Sequence, residues 1–380
     1  MGHTTWYFEY FVLKDFISGY NEYDPRFNYI FNSYYNSLGS RLGKGDRGSL
    51  TRPGLAEIYE YRKAIDKRLE SFISGNELTD KCKLLLEIGI NHEQQHQELM
   101  IYDIKHILGS NPLKPPFIDK TRLELDLTED IDLTIEISEG VYEIGHDGTG
   151  FGYDNEMPRH RIYQNGAKVG KYAESNGRYR EFIEDGGYEN PLLWLSDGWD
   201  FIKSNSIEMP LYWSRDKAGG LKEYTLFGSE SLNANLPVCH ISYYEADAFA
   251  RWAGKRLPTE AELELVSHDN LPSDKLSNDD ELLMFLCHPR YASDKSDNKQ
   301  VLTSPDGVWC WSSSLHSAYP GYKRDEGALG EYNGKFMSDR MVLKVGSCAT
   351  PPNHFRKTYR NFFEPTKRWL FSGIRLAEDN

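Results

Sequence analysis

The sequence predicts an α+β protein of two domains, a helical N-terminal third followed by a longer part built from short strands, a few helices and much irregular loop. At 380 residues the chain exceeds one ordinary domain, and about 150 residues per domain gives two. Residues 1 to about 110 carry apolar side chains at helical spacing, whereas the chain beyond about 130 shows short alternating runs broken by Gly, Asn and Asp. Between them, Gly109-Ser110-Asn111-Pro112 and Pro115-Pro116 stop a helix. The domains are therefore expected at 1–115 and 131–380, with 116–130 as linker.

Taken in order, Thr4 to Ile17 is an aromatic, apolar helix. A Gly- and Arg-rich loop from Gly39 to Gly54 follows and ends in the breaker pair Pro53-Gly54. Leu55 to Ile73 is a second long helix with Ile58, Ile65, Leu69 and Phe72 on one face. Lys81 to Leu108 is a third, free of Pro and with Gly89 its only glycine. Past the linker, Leu133 to Ile137 and Val141 to Ile144 read as strands, and Ser175 to Glu184 as a helix. Ser242 to Ala253 is a helix with Ser242 as N-cap and Glu245 at the capping-box offset.

Composition narrows the function. Hydrophobic residues are 39% and aromatics 13% of the chain, too many for disorder. Asp and Glu outnumber Lys and Arg by 58 to 44, and the net charge of −14 disfavours nucleic acid and anionic membrane as partners. A small molecule fits better. No apolar run approaches a membrane span, and the N-terminus has no basic region followed by an apolar stretch and a cleavage site, so a cytoplasmic location is expected. Cys82, Cys239, Cys287, Cys310 and Cys348 are odd in number and never spaced CxxC, which argues for reduced, mostly buried thiols rather than disulfides or a thiolate zinc site.

The sharpest chemical signal is His92-Glu93-Gln94-Gln95-His96-Gln97-Glu98 within the third helix. Residues four apart leave the same helix face, so both imidazoles can reach one ion. The alternative is a solvated polar face, but helical bundles commonly build metal sites from facing helices. A third ligand would come from His3, at the start of the aromatic helix, or from His106 on the same helix as the pair; spacing does not choose between them.

The Gly2-His3-Thr4-Thr5-Trp6 start, the HEQQHQE run and a series of motifs in the second half together resemble the ergothioneine-biosynthesis sulfoxide synthases of the EgtB type. These are non-haem iron enzymes with a DinB-like helical bundle fused to a formylglycine-generating-enzyme-like (C-type-lectin-like) domain. The motifs include Pro158-Arg159-His160-Arg161, Glu181 to Tyr188, Trp194 to Trp199, Pro210 to Trp213, Pro237 to Ala246 and Arg251 to Glu262. The series continues through Gly327 to Met337, Gly346 to Pro351, Tyr359 to Phe363 and Phe371 to Ala377, so the likeness spans nearly the whole chain.

The resemblance implies an Fe(II) site of His3, His92 and His96, with molecular oxygen as co-substrate. Three neutral imidazoles leave positions open for a substrate thiolate and for oxygen. The implied reaction couples the cysteine sulfur to the imidazole carbon of hercynine and gives hercynylcysteine sulfoxide. Tyr34 and Tyr35 resemble the paired tyrosines of the branch that uses free cysteine, where a phenol can donate a proton without being ionised at rest; buried tyrosines otherwise serve packing. Arg41, Lys44 and Arg47 fall where the family holds the carboxylate of the thiol substrate, a task that suits arginine's fork better than a lysine point charge. Gln95 resembles the glutamine that touches the hercynine imidazole. Asn361, Phe362 and Phe363 match the segment at the other end of hercynine, where a carboxylate needs donors and a trimethylammonium favours aromatic faces. Such a site would lie between the two domains.

Several features depart from the family pattern. Relatives usually carry a segment ahead of Gly-His-Thr-Thr, whereas here His3 is two residues from the start, where an end can fray. Cys310 stands where an acidic residue is common. Rival readings are a selenoneine synthase using a selenosugar, and a non-catalytic lectin-like binding protein. Formylglycine generation itself would need a copper-binding cysteine pair, and Cys348 finds no partner cysteine in residues 353–363. Small-molecule substrates, hercynine with cysteine or γ-glutamylcysteine, are the expected partners, and the sequence leaves a monomer open.

Overall fold

A computed structural model of the chain describes residues 1–33, 35–38, 48, 51–119, 133–267, 289, 307–324 and 330–380. It divides into two compact units, one formed by Met1–His96, Gly148–Asn155 and Tyr322–Lys335, the other by Gln97–Asp147, Glu156–Gly321 and Phe336–Asn380. Most of the expected linker, residues 120–130, lies outside the described residues.

The first unit is helical. Helix α1 (Gly2–Phe8) runs through a π-helical turn (Glu9–Leu13) into the short α2 (Lys14–Phe16), and α3 (Phe27–Phe31) and the long α4 (Leu55–Gly75) follow. α5 (Asp80–Ser110) gives its residues up to His96 to this unit. The core is aromatic: Trp6, Tyr7, Phe8 and Phe11 pack with Phe27, Tyr35, Tyr61, Ile65, Leu69, Leu85 and Ile88. Tyr61, Ile65 and Leu69, spaced by four, form the buried stripe of α4, with Phe72 partly buried beside them. The π-helical turn interrupts what the sequence presents as one helix. It opens with Glu9, a buried carboxylate that accepts hydrogen bonds from the Tyr61 hydroxyl (2.6 Å), the Tyr23 N–H (2.7 Å) and the Tyr20 hydroxyl (2.9 Å). Three donors offset the desolvation of that charge. Burial, together with the adjacent Glu9 charge, pushes the Tyr61 phenol well above its ordinary range.

The second unit is α+β. The two expected strands near its start are one continuous strand, β1 (Thr134–Ile144), because Gly140 pairs across the ladder with Gln164 instead of breaking it. β1 pairs antiparallel with β2 (His160–Gly170), which also pairs with β10 (Ala377–Asp379). A second sheet holds β3 (Trp213–Arg215), β4 (Leu221–Thr225) and β5 (Gly228–Ser231), and a third has the order β8-β7-β6-β9, with β6 (Trp309–Leu315), β7 (Met341–Lys344), β8 (Asn361–Phe363) and β9 (Ser372–Gly373). Its helices are α6 (Asn176–Glu184), α7 (Ser196–Ser204), α8 (Tyr243–Trp252) and α9 (Glu260–Val266). Ser242 and Glu245 form the expected capping box of α8, and Thr259 and Glu262 form a second at α9. Cys82, Cys239, Cys310 and Cys348 are buried free thiols; Cys287 lies outside the described residues. No described helix is long and apolar enough to cross a membrane.

Gly89 allows α5 to lie against α1: a Cβ there would sit 2.5 Å from the Phe8 ring and 2.7 Å from that of Tyr7. Gly89→Ala is therefore expected to destabilise the protein by about 1–3 kcal/mol through overpacking, despite alanine's better helix propensity. Chemical denaturation checks this, and an unchanged or raised midpoint would mean that the rings move aside freely.

Candidate metal centre

The site in the first unit begins with the helix spacing of α5. His92 and His96 project from one face, and the Nε2 atoms of the two rings are 3.0 Å apart. α1 supplies His3, whose Nε2 lies 3.2 Å from that of His92. All three ligand nitrogens fall within 4.8 Å of one another. His3 is oriented from behind, because its Nδ1–H donates to the Phe31 carbonyl (2.6 Å), leaving the Nε2 lone pair to face the other rings. Trp6 stacks on the same imidazole, with centroids 5.7 Å apart.

This donor set fits a metal ion. Cis ligands about 2.1 Å from a common ion stand about 3 Å apart, as these nitrogens do. Without a cation, three converging nitrogens would confront lone pair with lone pair or N–H with N–H. Two of the rings, His92 and His96, are also held neutral. Burial, then the nearby His3 and His96, pushes His92 far below the ordinary imidazole value, and burial with the positive amino terminus brings His96 to about 4. The Nδ1 of His92 has no hydrogen-bond partner among the described residues. Because all three donors are imidazoles, a bound divalent ion would keep its full charge at the face left open to exogenous ligands.

Tyrosines from distant sequence border the triad. The Tyr332 ring packs edge-on to His92 at 5.6 Å, and its hydroxyl donates to Gln95 Oε1. Tyr153 stacks on Tyr332, with centroids 5.2 Å and hydroxyls 3.5 Å apart. On the outer side of α5, Glu93 accepts a two-pronged hydrogen bond from Arg62 at 2.8 and 3.0 Å.

The remaining sequence expectations fall as follows. Tyr35 is fully buried between Trp6 and Phe11 in the first unit, and Asn32 holds its backbone N–H and carbonyl. Tyr34, Arg41, Lys44 and Arg47 lie outside the described residues. Asn361, Phe362 and Phe363 form β8 of the second unit, where Phe362 stacks on His316 at 3.9 Å and Phe363 meets the edge of Trp369 at 5.2 Å. Burial, reinforced by the Arg360 charge, pushes His316 down to about 3, so Phe362 lies on a neutral ring. His106, the alternative third ligand, belongs to the second unit and bonds the Tyr212 hydroxyl at 3.0 Å. Glu98, also in the second unit, accepts from Trp309 Nε1 (2.7 Å), Ser347 (2.8 Å), Thr350 (2.9 Å) and Tyr102. Sequence reasoning gave no role to Tyr332 or Tyr153. The former sits in the matched stretch Gly327 to Met337, which was the one available signal.

Residues 121–276 match the Sulfatase-modifying factor enzyme 1-like domain family. Over 324 residues the chain is 30% identical to Hercynine oxygenase of Mycolicibacterium smegmatis, covering 76% of this chain and 70% of that protein. Hercynine oxygenase of Mycobacterium tuberculosis is 30% identical over 321 residues, or 79% of this chain and 72% of that protein. The formylglycine-generating enzyme of Mus musculus is 30% identical over a shorter stretch of 141 residues, 34% of this chain and 38% of that one.

Two outcomes are expected. One divalent metal ion should bind per chain, and His92→Ala should abolish that binding with an unaltered far-UV spectrum; full occupancy in the variant would refute the triad. The second concerns pH. A folded-state value of about 4 against 6.5 for an ordinary imidazole means that the unfolded chain binds more protons in that window. Metal-free protein should lose stability as pH falls from 6.5 towards 4, and His96→Ala should flatten the profile of midpoint against pH by up to one proton.

Proposed function

The chain belongs to the hercynine oxygenase family, and we propose that it is an iron(II)- and oxygen-dependent sulfoxide synthase acting in ergothioneine biosynthesis. It joins the sulfur of a cysteine-type thiol, free cysteine or γ-glutamylcysteine, to the imidazole carbon of hercynine and leaves that sulfur as a sulfoxide. In balance, one thiol S–H, one imidazole C–H and one O2 give a C–S bond, one S=O oxygen and one water, with no external reductant. The observation that carries the reading is the convergence of three imidazole nitrogens, 3.0 and 3.2 Å apart, in a chain of this family.

His3, His92 and His96 would hold the ion. Bound there, Fe(II) would supply oxygen activation and a binding position for the substrate thiolate. The protein's own contribution is orientation and proton handling. Gln95, its carbonyl held by Tyr332, is assigned to contact with the hercynine imidazole. The carboxylate and trimethylammonium of hercynine are assigned to Asn361, Phe362 and Phe363, by amide donation and by aromatic contact. Arg41, Lys44 and Arg47 are assigned to the thiol substrate's carboxylate, and Tyr34 with Tyr35 to proton donation. At neutral pH a buried phenol keeps its proton until a strong base forms beside it.

The test is oxygen uptake by anaerobically Fe(II)-loaded protein given hercynine with cysteine, with γ-glutamylcysteine or with a selenosugar, with product masses taken from each mixture. A sulfoxide conjugate from one thiol is expected, and it names the substrate. A conjugate from the selenosugar alone would instead make this a selenoneine synthase. Fe(II)-loaded protein that consumes no oxygen with any of the three would overturn the enzymatic reading.

A further inference from the structure

Tyr332 stands beside His92 and on Gln95, yet it is carried by an irregular stretch of chain, with bends at 332–333 and a 3-10 turn at Gly334–Phe336. No strand ladder or long helix holds such a residue, so its position depends on side-chain anchors. Anchors flank it on both sides. Before it, Glu331 Oε1 accepts the Ser37 N–H (2.8 Å), while Oε2 accepts the Asn36 N–H (3.0 Å) and the Lys335 ammonium (3.2 Å). Those N–H groups open the 3-10 turn Asn36–Leu38, where no intrahelical acceptor exists for them. Glu331 thus caps, across 294 positions of sequence, the segment that follows Tyr35. After Tyr332, the Asn333 amide donates to Asp154 Oδ1 (2.7 Å), and Asp154 Oδ2 accepts the Tyr322 hydroxyl (2.7 Å). Asp154 directly follows Tyr153, the ring stacked on Tyr332.

We propose that Glu331 and Asp154 are positioning residues of the oxygenase site, a pair of carboxylate clamps that hold the Tyr332 phenol on Gln95 and fix the Tyr35-bearing segment alongside. The inference rests on the function proposed above. Both residues act through their neighbours, and neither is assigned contact with a substrate. Burial pulls Glu331 upward, but hydrogen bonds from Ser37, Asn36 and Lys335 outweigh it and bring the group to about 2, so the clamp is a charged acceptor throughout the neutral range.

Glu331→Gln in the full chain keeps the shape but turns one acceptor oxygen into an NH2 group facing a backbone N–H. Three readouts are taken: amide exchange of peptides covering 30–38 and 148–155, hercynine affinity of metal-loaded protein by calorimetry, and the kcat and KM values. The expected result is exchange at Asn36 and Ser37 faster by about tenfold or more. It is accompanied by a similar fall in kcat and weaker hercynine binding, at unchanged metal content and with Tm within about 2 °C. Glu331→Asp should recover part of the loss, and Asp154→Asn should reproduce it if Glu331→Gln does not fold. Unchanged exchange overturns the clamp. Faster exchange with unaltered kcat and hercynine affinity overturns the positioning role and leaves Glu331 a loop anchor only. If wild-type protein turns over none of the thiols, the proposed function fails, whereas the exchange and binding measurements still decide for or against Glu331.

Discussion

The first unit is organised around one electrostatic constraint, the approach of three imidazole nitrogens to about 3 Å of each other while burial keeps His92 and His96 without a proton charge. An exposed trio would titrate near its ordinary value and repel. Enclosure by Trp6, Tyr7, Tyr332 and the rest of the aromatic core removes that freedom, because a buried imidazolium loses its hydration. Enclosure in turn requires α1 and α5 to lie close, and Gly89 removes the Cβ that would keep Phe8 and Tyr7 away. The hydrogen bond from His3 to the Phe31 carbonyl completes the arrangement by settling which nitrogen of that ring faces inward.

The seven residues from His92 to Glu98 divide their work by helix angle. His92 and His96 share the inward face, Gln95 is turned towards Tyr332, and Glu93 pairs outward with Arg62. Glu98, buried in the second unit, serves structure, since four donors converge on its carboxylate. Burial raises this group, and the hydrogen bonds from Tyr102, Trp309, Ser347 and Thr350 act against that rise. A single run of polar residues in a helix can therefore carry a candidate metal centre, a contact to a distant tyrosine and packing without conflict.

The sequence made local relations visible and left distant ones hidden. The His92/His96 pair follows from the 3.6-residue period, and the Ser242 cap from an offset of three, because both are properties of one element. The choice between His3 and His106 is tertiary. Spacing left it open, the family likeness pointed to His3, and the folded chain brings His3 to the pair while His106 bonds Tyr212. The π-helical turn at Glu9 was not legible, since what favours it is the set of tyrosines around a buried carboxylate, two of which lie beyond α2 and one on α4. Among 25 tyrosines, nothing local distinguishes Tyr332 and Tyr153 from packing residues. The strand β1 looks like two runs in the sequence, because a glycine inside alternating residues resembles a turn until its partner strand is known.

Residues of the triad come from helices near the start of the chain, yet the compact unit that contains them also takes in 148–155 and 322–335. Those two segments bring Tyr153, Asp154, Glu331 and Tyr332, so the polar atoms nearest the imidazoles do not all belong to the helices that hold them. A division of labour follows from this arrangement. The helices place the three imidazoles, His3 with the help of its bond to the Phe31 carbonyl, while irregular segments place Tyr332 through side-chain hydrogen bonds that can be altered one at a time. The histidine triad is thereby insulated from variation in the irregular segments around it. Substitutions in the irregular segments can therefore alter the setting of Tyr332 without dismantling the histidine triad, because the carboxylate clamps and the triad are held by separate sets of bonds.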